Sequence, residues 1–249
     1  MKSILILLNF LIVAVFIAGC STSKQSISTK PGQQAQTFSK EYTRTEKLDY
    51  LFYLPDEYGK DNQKFPLLLF LHGSGERGND INLVAKHGPP KLISEGEKFP
   101  FIVASPQCPD GLWWAMDSQL EILNDMVDKI CDNYNVDKNR IYITGLSMGG
   151  YGTWSMLAKY PDKFAAAVPI CGGGDSSLVE LYCKVPIWVF HGAKDNVVPV
   201  AQSESMVNAL KKCGSDVKFT VYPEAGHNSW EETYNNPELY KWILEQSKK

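Results

Sequence analysis

The sequence lacks the features that mark several large classes of protein. Among its 249 residues, 25 Lys and Arg stand against 28 Asp and Glu, which gives a formal net charge of −3 with no basic stripe. A role in nucleic-acid binding is therefore not supported. The 19 Gly and 14 Pro follow no period, and 44% of the residues are hydrophobic, which excludes collagen-like and disordered chains. We expect a globular chain with a substantial core.

Cysteine is scarce and irregularly spaced. There are six Cys, no C-x-x-C pair and no cluster of His and Cys with the spacing of a zinc site, so no metal is predicted. Cys20 belongs to the N-terminal leader. Five Cys remain without it, and this odd number argues against a disulfide framework. Cys171 and Cys183 are not expected to pair, because one ends a predicted strand and the other precedes the next parallel strand. The cysteines that remain are Cys108, Cys131, Cys171, Cys183 and Cys213.

The sequence has one long hydrophobic run, at its beginning. Residues 4–18 are apolar except for Asn9 and follow Lys2. This run is short for a membrane span and typical of a signal peptide. The following IAGC at 17–20 resembles a bacterial lipobox, which predicts removal of residues 1–19 and lipidation of Cys20. The alternatives are an uncleaved anchor and an ordinary secretory signal. The expected protein is exported and lipid-anchored on the periplasmic or cell-surface side of a bacterial membrane.

The rest of the chain divides into a polar tether, 20–36, and a domain, 37–249, in which strand-like and helix-like segments alternate. This alternation predicts an α/β fold with a mostly parallel sheet, helices on both faces and a site at the carboxyl ends of the strands. The predicted strands are 48–54, 66–71, 101–104, 140–144, 164–170, 187–190 and 217–222. The predicted helices are 118–134, 148–160, 201–212 and 237–246.

The motif GLSMG at 145–149 fits the pattern G-x-S-x-G. It follows a predicted strand and leads into a predicted helix, which is the context of a nucleophile elbow. Ser147 would then lie at the sharp turn, beside the positive end of the following helix. A serine hydroxyl is a poor nucleophile until a base accepts its proton, so the motif requires a histidine nearby.

Four histidines are available, and their positions differ. His72 ends a predicted strand and His191 ends another, while His87 lies in a polar connection. His227 alone follows the last predicted strand in a glycine-containing loop, at the edge where the site is expected. We therefore predict His227 as the base, and a surface or structural histidine is the alternative.

The orienting acid is expected between Ser147 and His227 in the chain and after a strand. Asp195 fits this position, because it follows the strand that ends before HGAK at 191–194. Asp175 stays as an alternative, while Asp216 precedes a strand and so falls at the wrong end of the sheet. For each of these carboxylates, helix capping or loop solvation is the alternative role.

Four blocks in this order carry a family resemblance: HGSGERG at 72–78, GLSMGG at 145–150, HGAKD at 191–195 and GH at 226–227. Across about residues 45–247 the chain resembles the α/β-hydrolase superfamily. More narrowly, it is similar to exported esterases related to polyhydroxybutyrate depolymerases and to family 1 carbohydrate esterases. The resemblance implies an oxyanion hole formed by the backbone N–H groups of Ser74 and Met148. Glu76 and Arg77 either pair and shape the first of these loops or are simply solvated.

Few features of the sequence indicate which substrate is bound. The connection 171–186 is too short for a large helical cap, so an open site is expected. Trp113 and Trp114 follow a predicted strand on the catalytic side, and Trp230 follows His227. These rings either stack on a feruloyl ring or a sugar, or pack beneath the loops; packing is favoured for Trp230.

Together these features predict a serine carboxylic-ester hydrolase that forms an acyl-enzyme and needs no cofactor. The predicted substrates are feruloyl or acetyl esters of plant polysaccharides, and the only other predicted partner is the membrane at Cys20. A serine peptidase of the prolyl-oligopeptidase type is the alternative, although the chain has no room for a propeller. A lipid-anchored binding protein on a dead hydrolase scaffold is a third alternative, which the intact triad disfavours.

Overall fold

The computed structural model describes residues 46–248. The predicted signal peptide 1–19, the lipidation site Cys20 and the tether 20–36 lie outside the described residues, and so does the predicted start of the domain at 37.

A seven-stranded sheet forms the centre of the described part. Its order is β1-β3-β2-β4-β5-β6-β7. Only β1 runs antiparallel to its neighbour, β3, and the other pairs are parallel, which confirms the predicted sheet. The strands are β1 Tyr50–Tyr53, β2 Phe65–Leu71, β3 Ile102–Pro106, β4 Val136–Leu146, β5 Ala166–Ile170, β6 Trp188–Gly192 and β7 Lys218–Tyr222.

Helices connect these strands. The α-helices are α1 Gly88–Ser94, α2 Asp117–Asn133, α3 Met148–Lys159, α4 Ala201–Lys212, α5 Trp230–Tyr234 and α6 Pro237–Leu244. Short 3₁₀ helices are Ser74–Glu76, Ile81–Lys86 and Ser176–Tyr182. None of these described helices has both the length and the apolar character needed to cross a membrane. The last 3₁₀ helix lies in the short connection between β5 and β6, where many hydrolases carry a cap.

The alternation of side chains along β2 explains why both faces of the sheet are covered. Leu67, Leu69 and Leu71 pack into one hydrophobic cluster, which also contains residues of α2, α3 and α4. Leu68 and Phe70 point to the other face and pack with residues of α1, α5 and α6. β2 is buried on both faces, as its continuous apolar run predicts.

The seven predicted strands and four predicted helices are all present, with shifted ends. β4 begins at Val136 rather than at 140, because Val136 pairs with Phe65 ahead of a register shift. α1 and α5 were not predicted. α1 begins with Gly88 followed by two prolines, which suit a first helical turn because N–H groups there need no carbonyl partner.

The odd number of cysteines argues against a disulfide framework, yet the described residues contain one bonded pair. Cys183 and Cys213 are bonded, with their Cα atoms 6.4 Å apart. Cys183 precedes β6 and Cys213 precedes β7, so both lie at the amino edge of two neighbouring parallel strands. Cys171 does not pair with Cys183, as predicted, and it is buried and free like Cys108 and Cys131.

Candidate active site

Ser147 lies at a strained turn between β4 and α3. Its φ of 52° and ψ of −114° are rare for a residue with a side chain. The turn is closed by two hydrogen bonds, from Ser147 N to Ile170 O at 3.0 Å and from Tyr151 N to Ser147 O at 3.1 Å. A Cβ atom at Gly149 would collide with Leu71 O, and one at Gly145 with Gly149 O. The motif glycines are therefore required because α3 packs directly against the backbone of the sheet.

Ser147, His227 and Asp195 come from the ends of three strands and are joined by hydrogen bonds. His227 Nε2 lies 2.9 Å from Ser147 Oγ, and His227 Nδ1 lies 2.7 Å from Asp195 Oδ2. Ser147 follows β4, Asp195 follows β6 and His227 follows β7. All three therefore meet at the carboxyl edge of the sheet, where the sequence predicts the site.

The environment of Asp195 favours its charged form. Burial of the Asp195 side chain opposes ionisation, but hydrogen bonds from His227 and from the N–H groups of Val197 and Val198 outweigh burial, so the pKa of Asp195 is lowered. Both of these N–H groups donate to Oδ1 at 2.9 Å. Asp195 is thus an ionised acceptor that fixes the direction of the His227 ring.

The loops that carry Asp195 and His227 are tied to each other. Ala193 N donates to Tyr222 O at 2.9 Å, and Lys194 N donates to Ala225 O at 3.0 Å. Lys194 and Glu224 add an exposed ion pair between the same loops. These contacts extend the pairing of β6 and β7 beyond the strands. They hold the loop that carries Asp195 close to the loop that carries His227.

Ser74 and Met148, the predicted oxyanion donors, each begin a helix. Met148 is the first residue of α3, and N–H groups in a first helical turn have no intrahelical partner. Ser74 begins the 3₁₀ helix after β2. A Cβ atom on the preceding Gly73 would lie 2.8 Å from Leu146 Cδ1, so this loop contacts the elbow closely.

The side chains of His72, Gln107 and Trp114 form hydrogen bonds to the loop that carries Ser74 and to its flanking residues, a role that was not predicted from the sequence. His72 Nδ1 donates to Gly73 O at 2.6 Å, and His72 Nε2 accepts a hydrogen bond from Cys108 N at 2.9 Å. Burial lowers the pKa of His72 to about 4, so its ring is neutral at neutral pH. Trp114 Nε1 donates to His72 O at 3.1 Å, and the Gln107 amide group donates to two carbonyl groups of the same loop.

Glu76 and Arg77 form no ion pair with each other in the described structure, and the two side chains are not both simply solvated either. Glu76 is buried, with one carboxylate oxygen 3.9 Å from His87 Nε2. Arg77 Nε donates to Ser74 O at 3.0 Å and Nη1 to Leu112 O at 3.3 Å. Arg77 therefore links the Ser74 loop to the loop that carries Trp113.

The three candidate tryptophans occupy different environments. Trp114 is completely buried, so substrate stacking does not fit this residue. Trp113 is 44% exposed, and the Arg77 guanidinium lies 5.5 Å from the centroid of its ring. Trp230 is partly buried and packs edge to face against His227, with ring centroids 5.2 Å apart. Of these three tryptophans, Trp113 has the most exposed ring.

The other sequence candidates are not part of the hydrogen-bonded group of Ser147, His227 and Asp195. Asp175 caps the 3₁₀ helix Ser176–Tyr182 by accepting from Ser177 N and Oγ. Asp216 is exposed ahead of β7, on the opposite edge of the sheet. His87 lies 3.1 Å from a carboxylate oxygen of Glu231.

Among the described residues, one cluster of side chains could hold a metal ion, and it contains Cys171. Potential ligand atoms of Cys171, Asp195 and His227 lie within 4.8 Å of one another. The triad hydrogen bond already occupies Asp195 and His227, and burial raises the pKa of the Cys171 thiol to about 12. A metal here would disrupt the hydrogen bond that orients the base.

The fold and the site define an α/β-hydrolase. Within that class, residues 104–239, more than half of the chain, match the dienelactone hydrolase family. The chain belongs to this family.

Known relatives include enzymes that act on esters. A bifunctional acetylxylan esterase/xylanase of Neocallimastix patriciarum is 30% identical over 185 residues, which make up 71% of this chain and 26% of that protein. The chain thus spans about a quarter of that relative's length. Among solved structures, a thermostable esterase is 39% identical with a TM-score of 0.72, covering 81% of this chain and 60% of the other. A ferulic acid esterase shares the fold at 18% identity, with a TM-score of 0.58 over 79% of this chain and 90% of that one.

Proposed function

We propose that this protein is a serine carboxylic-ester hydrolase that works through an acyl-enzyme. The hydrogen-bonded chain from Ser147 through His227 to Asp195 carries this proposal. Ser147 Oγ attacks the ester carbonyl carbon while His227 Nε2 accepts the hydroxyl proton. His227 then returns this proton to the departing alcohol, and Asp195 stabilises the imidazolium formed in between. Water attacks the acyl group by the same route and releases the acid.

The N–H groups of Ser74 and Met148 are the proposed donors to the oxyanion. Each donor contributes on the order of 3 kcal/mol when it meets the charge that develops on the carbonyl oxygen. The placement of Ser74 against the elbow, and of Met148 at the start of α3, supports this assignment.

Hydrolysis of p-nitrophenyl acetate by wild-type protein and by Ser147→Ala tests this proposal. We expect the Ser147→Ala variant to lose nearly all turnover, since no other group in the mechanism replaces the attacking oxygen. Ser94→Ala is a matched control, because Ser94 is an exposed serine at the end of α1. Retained activity in Ser147→Ala would contradict the proposal, and faster turnover of a peptide anilide than of aryl esters would support a peptidase instead.

The proposed substrates are feruloyl or acetyl esters carried by plant polysaccharides. The short connection between β5 and β6 and the exposed ring of Trp113 support a bulky substrate. The acetylxylan esterase relative supports the same class. A panel of methyl ferulate, acetylated xylan and a long-chain p-nitrophenyl ester tests it. Activity on the long-chain ester alone would contradict it.

We also propose that Cys20 is lipidated and tethers the exported domain to a bacterial membrane through residues 20–36. The lipobox-like sequence at 17–20 supports this proposal. In a bacterial host, the full-length protein should incorporate an alkyne fatty acid and remain with the membrane fraction. The Cys20→Ala variant should do neither, and labelling of that variant would contradict the assignment.

A further inference from the structure

A second imidazole contacts the acid of the triad. His191, at the end of β6, is completely buried, and its Nε2 lies 3.2 Å from Asp195 Oδ2. The same oxygen accepts the hydrogen bond from His227 Nδ1. We propose that His191 is a positioning residue that holds the Asp195 carboxylate in place for His227. This inference rests on the triad mechanism proposed above.

The surroundings of His191 Nε2 fix where its proton lies. Besides Asp195 Oδ2, the nearest polar atom is Val198 O, at 2.8 Å. A carbonyl oxygen and an ionised carboxylate are both acceptors, so Nε2 must carry hydrogen. This N–H group is hydrogen-bonded to Val198 O and also lies close to Asp195 Oδ2.

The opposite side of the ring is anchored to α4. His191 Nδ1 lies 2.8 Å from Ser203 Oγ, and Ser203 Oγ lies 3.1 Å from Gly172 O. Ser203 is completely buried. The Ser203 proton can be directed to either acceptor, and in both cases Nε2 still carries hydrogen towards Asp195.

These contacts determine the orientation of the carboxylate. Oδ1 accepts from the N–H groups of Val197 and Val198, while Oδ2 accepts from His227 Nδ1 and lies 3.2 Å from His191 Nε2. Because Val198 O accepts the hydrogen bond from His191, the ring contacts both ends of the turn from Asp195 to Val198. Without His191, Oδ2 would lose this neighbouring N–H group, and the turn would lose its hydrogen bond to β6.

Few other titratable groups face this cluster. Cys171 lies beside Asp195 and His227, and burial raises its pKa to about 12. Burial also raises the pKa of Tyr151, on α3. Both groups are therefore neutral near pH 7. The Lys194 and Glu224 ion pair is exposed on the adjoining loops. Asp195 therefore has two neutral side chains, Cys171 and Tyr151, near it on this side of the cluster.

Two polar substitutions of His191 distinguish a positioning role of its Nε2–H group from a packing role of its ring. The amide nitrogen of Gln can occupy the position of Nε2, whereas that of Asn reaches only the position of Nδ1. We expect His191→Asn to lower kcat for p-nitrophenyl acetate by about 10- to 100-fold, the range for losing a polar contact to a charged group, with little change in KM. His191→Gln should remain much closer to the wild type in kcat.

Equal losses of kcat in the two variants, or a loss in His191→Asn that appears in KM rather than in kcat, would overturn the proposal. If both variants fail to fold, the wild-type protein still provides a test. With ¹⁵N-labelled histidine, NMR should show His191 protonated at Nε2, and a ring protonated only at Nδ1 would overturn the inference. Loss of the proposed function would appear separately, as turnover that survives Ser147→Ala.

Discussion

At the scale of single residues, Asp195 is the point where the hydrogen bonds of the site converge. Its Oδ1 accepts from two backbone N–H groups and therefore has to be an oxygen. Replacement by Asn would place the amide nitrogen at the Oδ2 position, towards His227 and His191. A donor there meets Nδ1–H of His227 and forces the ring proton onto Nε2, the nitrogen that must accept from Ser147.

We accordingly predict that Asp195→Asn lowers kcat by about 10⁴-fold, the size found when the ring of a triad is held in the wrong tautomer. Steady-state hydrolysis of p-nitrophenyl acetate checks this. Asp175→Asn is the control, because Asp175 only caps a 3₁₀ helix. A loss below about tenfold in Asp195→Asn would show that the acid is not needed to orient the base.

His72 makes a second prediction at this scale, concerning stability. Its pKa is about 4 in the folded protein and about 6.5 in the unfolded chain. Between these pH values the unfolded chain binds a proton that the folded protein does not bind. The free energy of unfolding should therefore fall as pH falls through this window, by about 3 kcal/mol in total from this group.

Urea unfolding of the wild type and of His72→Gln at several pH values from about 4 to 7 measures this contribution. The difference between the two curves isolates His72, since Asp195 and the other carboxylates titrate in both proteins. The wild type should lose more stability than the variant as pH falls. Parallel curves would mean that His72 is already protonated in the folded protein.

At the scale of elements, the elbow depends on how closely α3 approaches β2. A methyl group at Gly149 collides with Leu71 O and would lie 2.9 Å from His72 O. Backbone atoms cannot move aside like a flexible side chain. Gly149→Ala should therefore lower the free energy of unfolding by about 1–3 kcal/mol, as overpacking does.

Gly75→Ala provides the matched control for chemical unfolding of that variant. A Cβ atom at Gly75 has nothing within 4 Å, although Gly75 lies in the neighbouring 3₁₀ helix. Equal stabilities of the two variants would contradict the account of the elbow.

The Cys183–Cys213 bond links two further elements, the connection before β6 and the end of α4. It closes a loop with a sequence separation of 30 residues. Loop-closure entropy predicts a stabilisation of about 3–4 kcal/mol for a loop of this length. The double variant Cys183→Ser with Cys213→Ser should lose about this much in urea unfolding. A thiol count of the unreduced, unfolded wild type that includes these two cysteines would contradict the bond.

At the scale of the whole molecule, local patterns predicted most of the fold. Continuous apolar runs and helical spacing identified all seven strands and the four longest helices, because each pattern lies within its own segment. The order of Ser147, Asp195 and His227, together with the rule that parallel strands end at one edge, predicted that these three residues meet there.

Contacts between distant segments were the part that the sequence could not provide. Cys183 and Cys213 are adjacent only because β6 and β7 are neighbours in the sheet. Trp113 and Trp114 are adjacent in the chain, yet only Trp114 is buried, where it donates to His72 O. The link from His191 to Asp195 likewise depends on the turn at 195–198, which no local pattern specifies.

We propose that His227 activates Ser147 as a nucleophile, and labelling with a fluorophosphonate followed by peptide mass spectrometry examines this step. We expect one label on Ser147 of the wild type, none on Ser147→Ala and much slower labelling of His227→Ala. A label on another residue, or full esterase activity after Ser147 is labelled, would disprove the activation of Ser147.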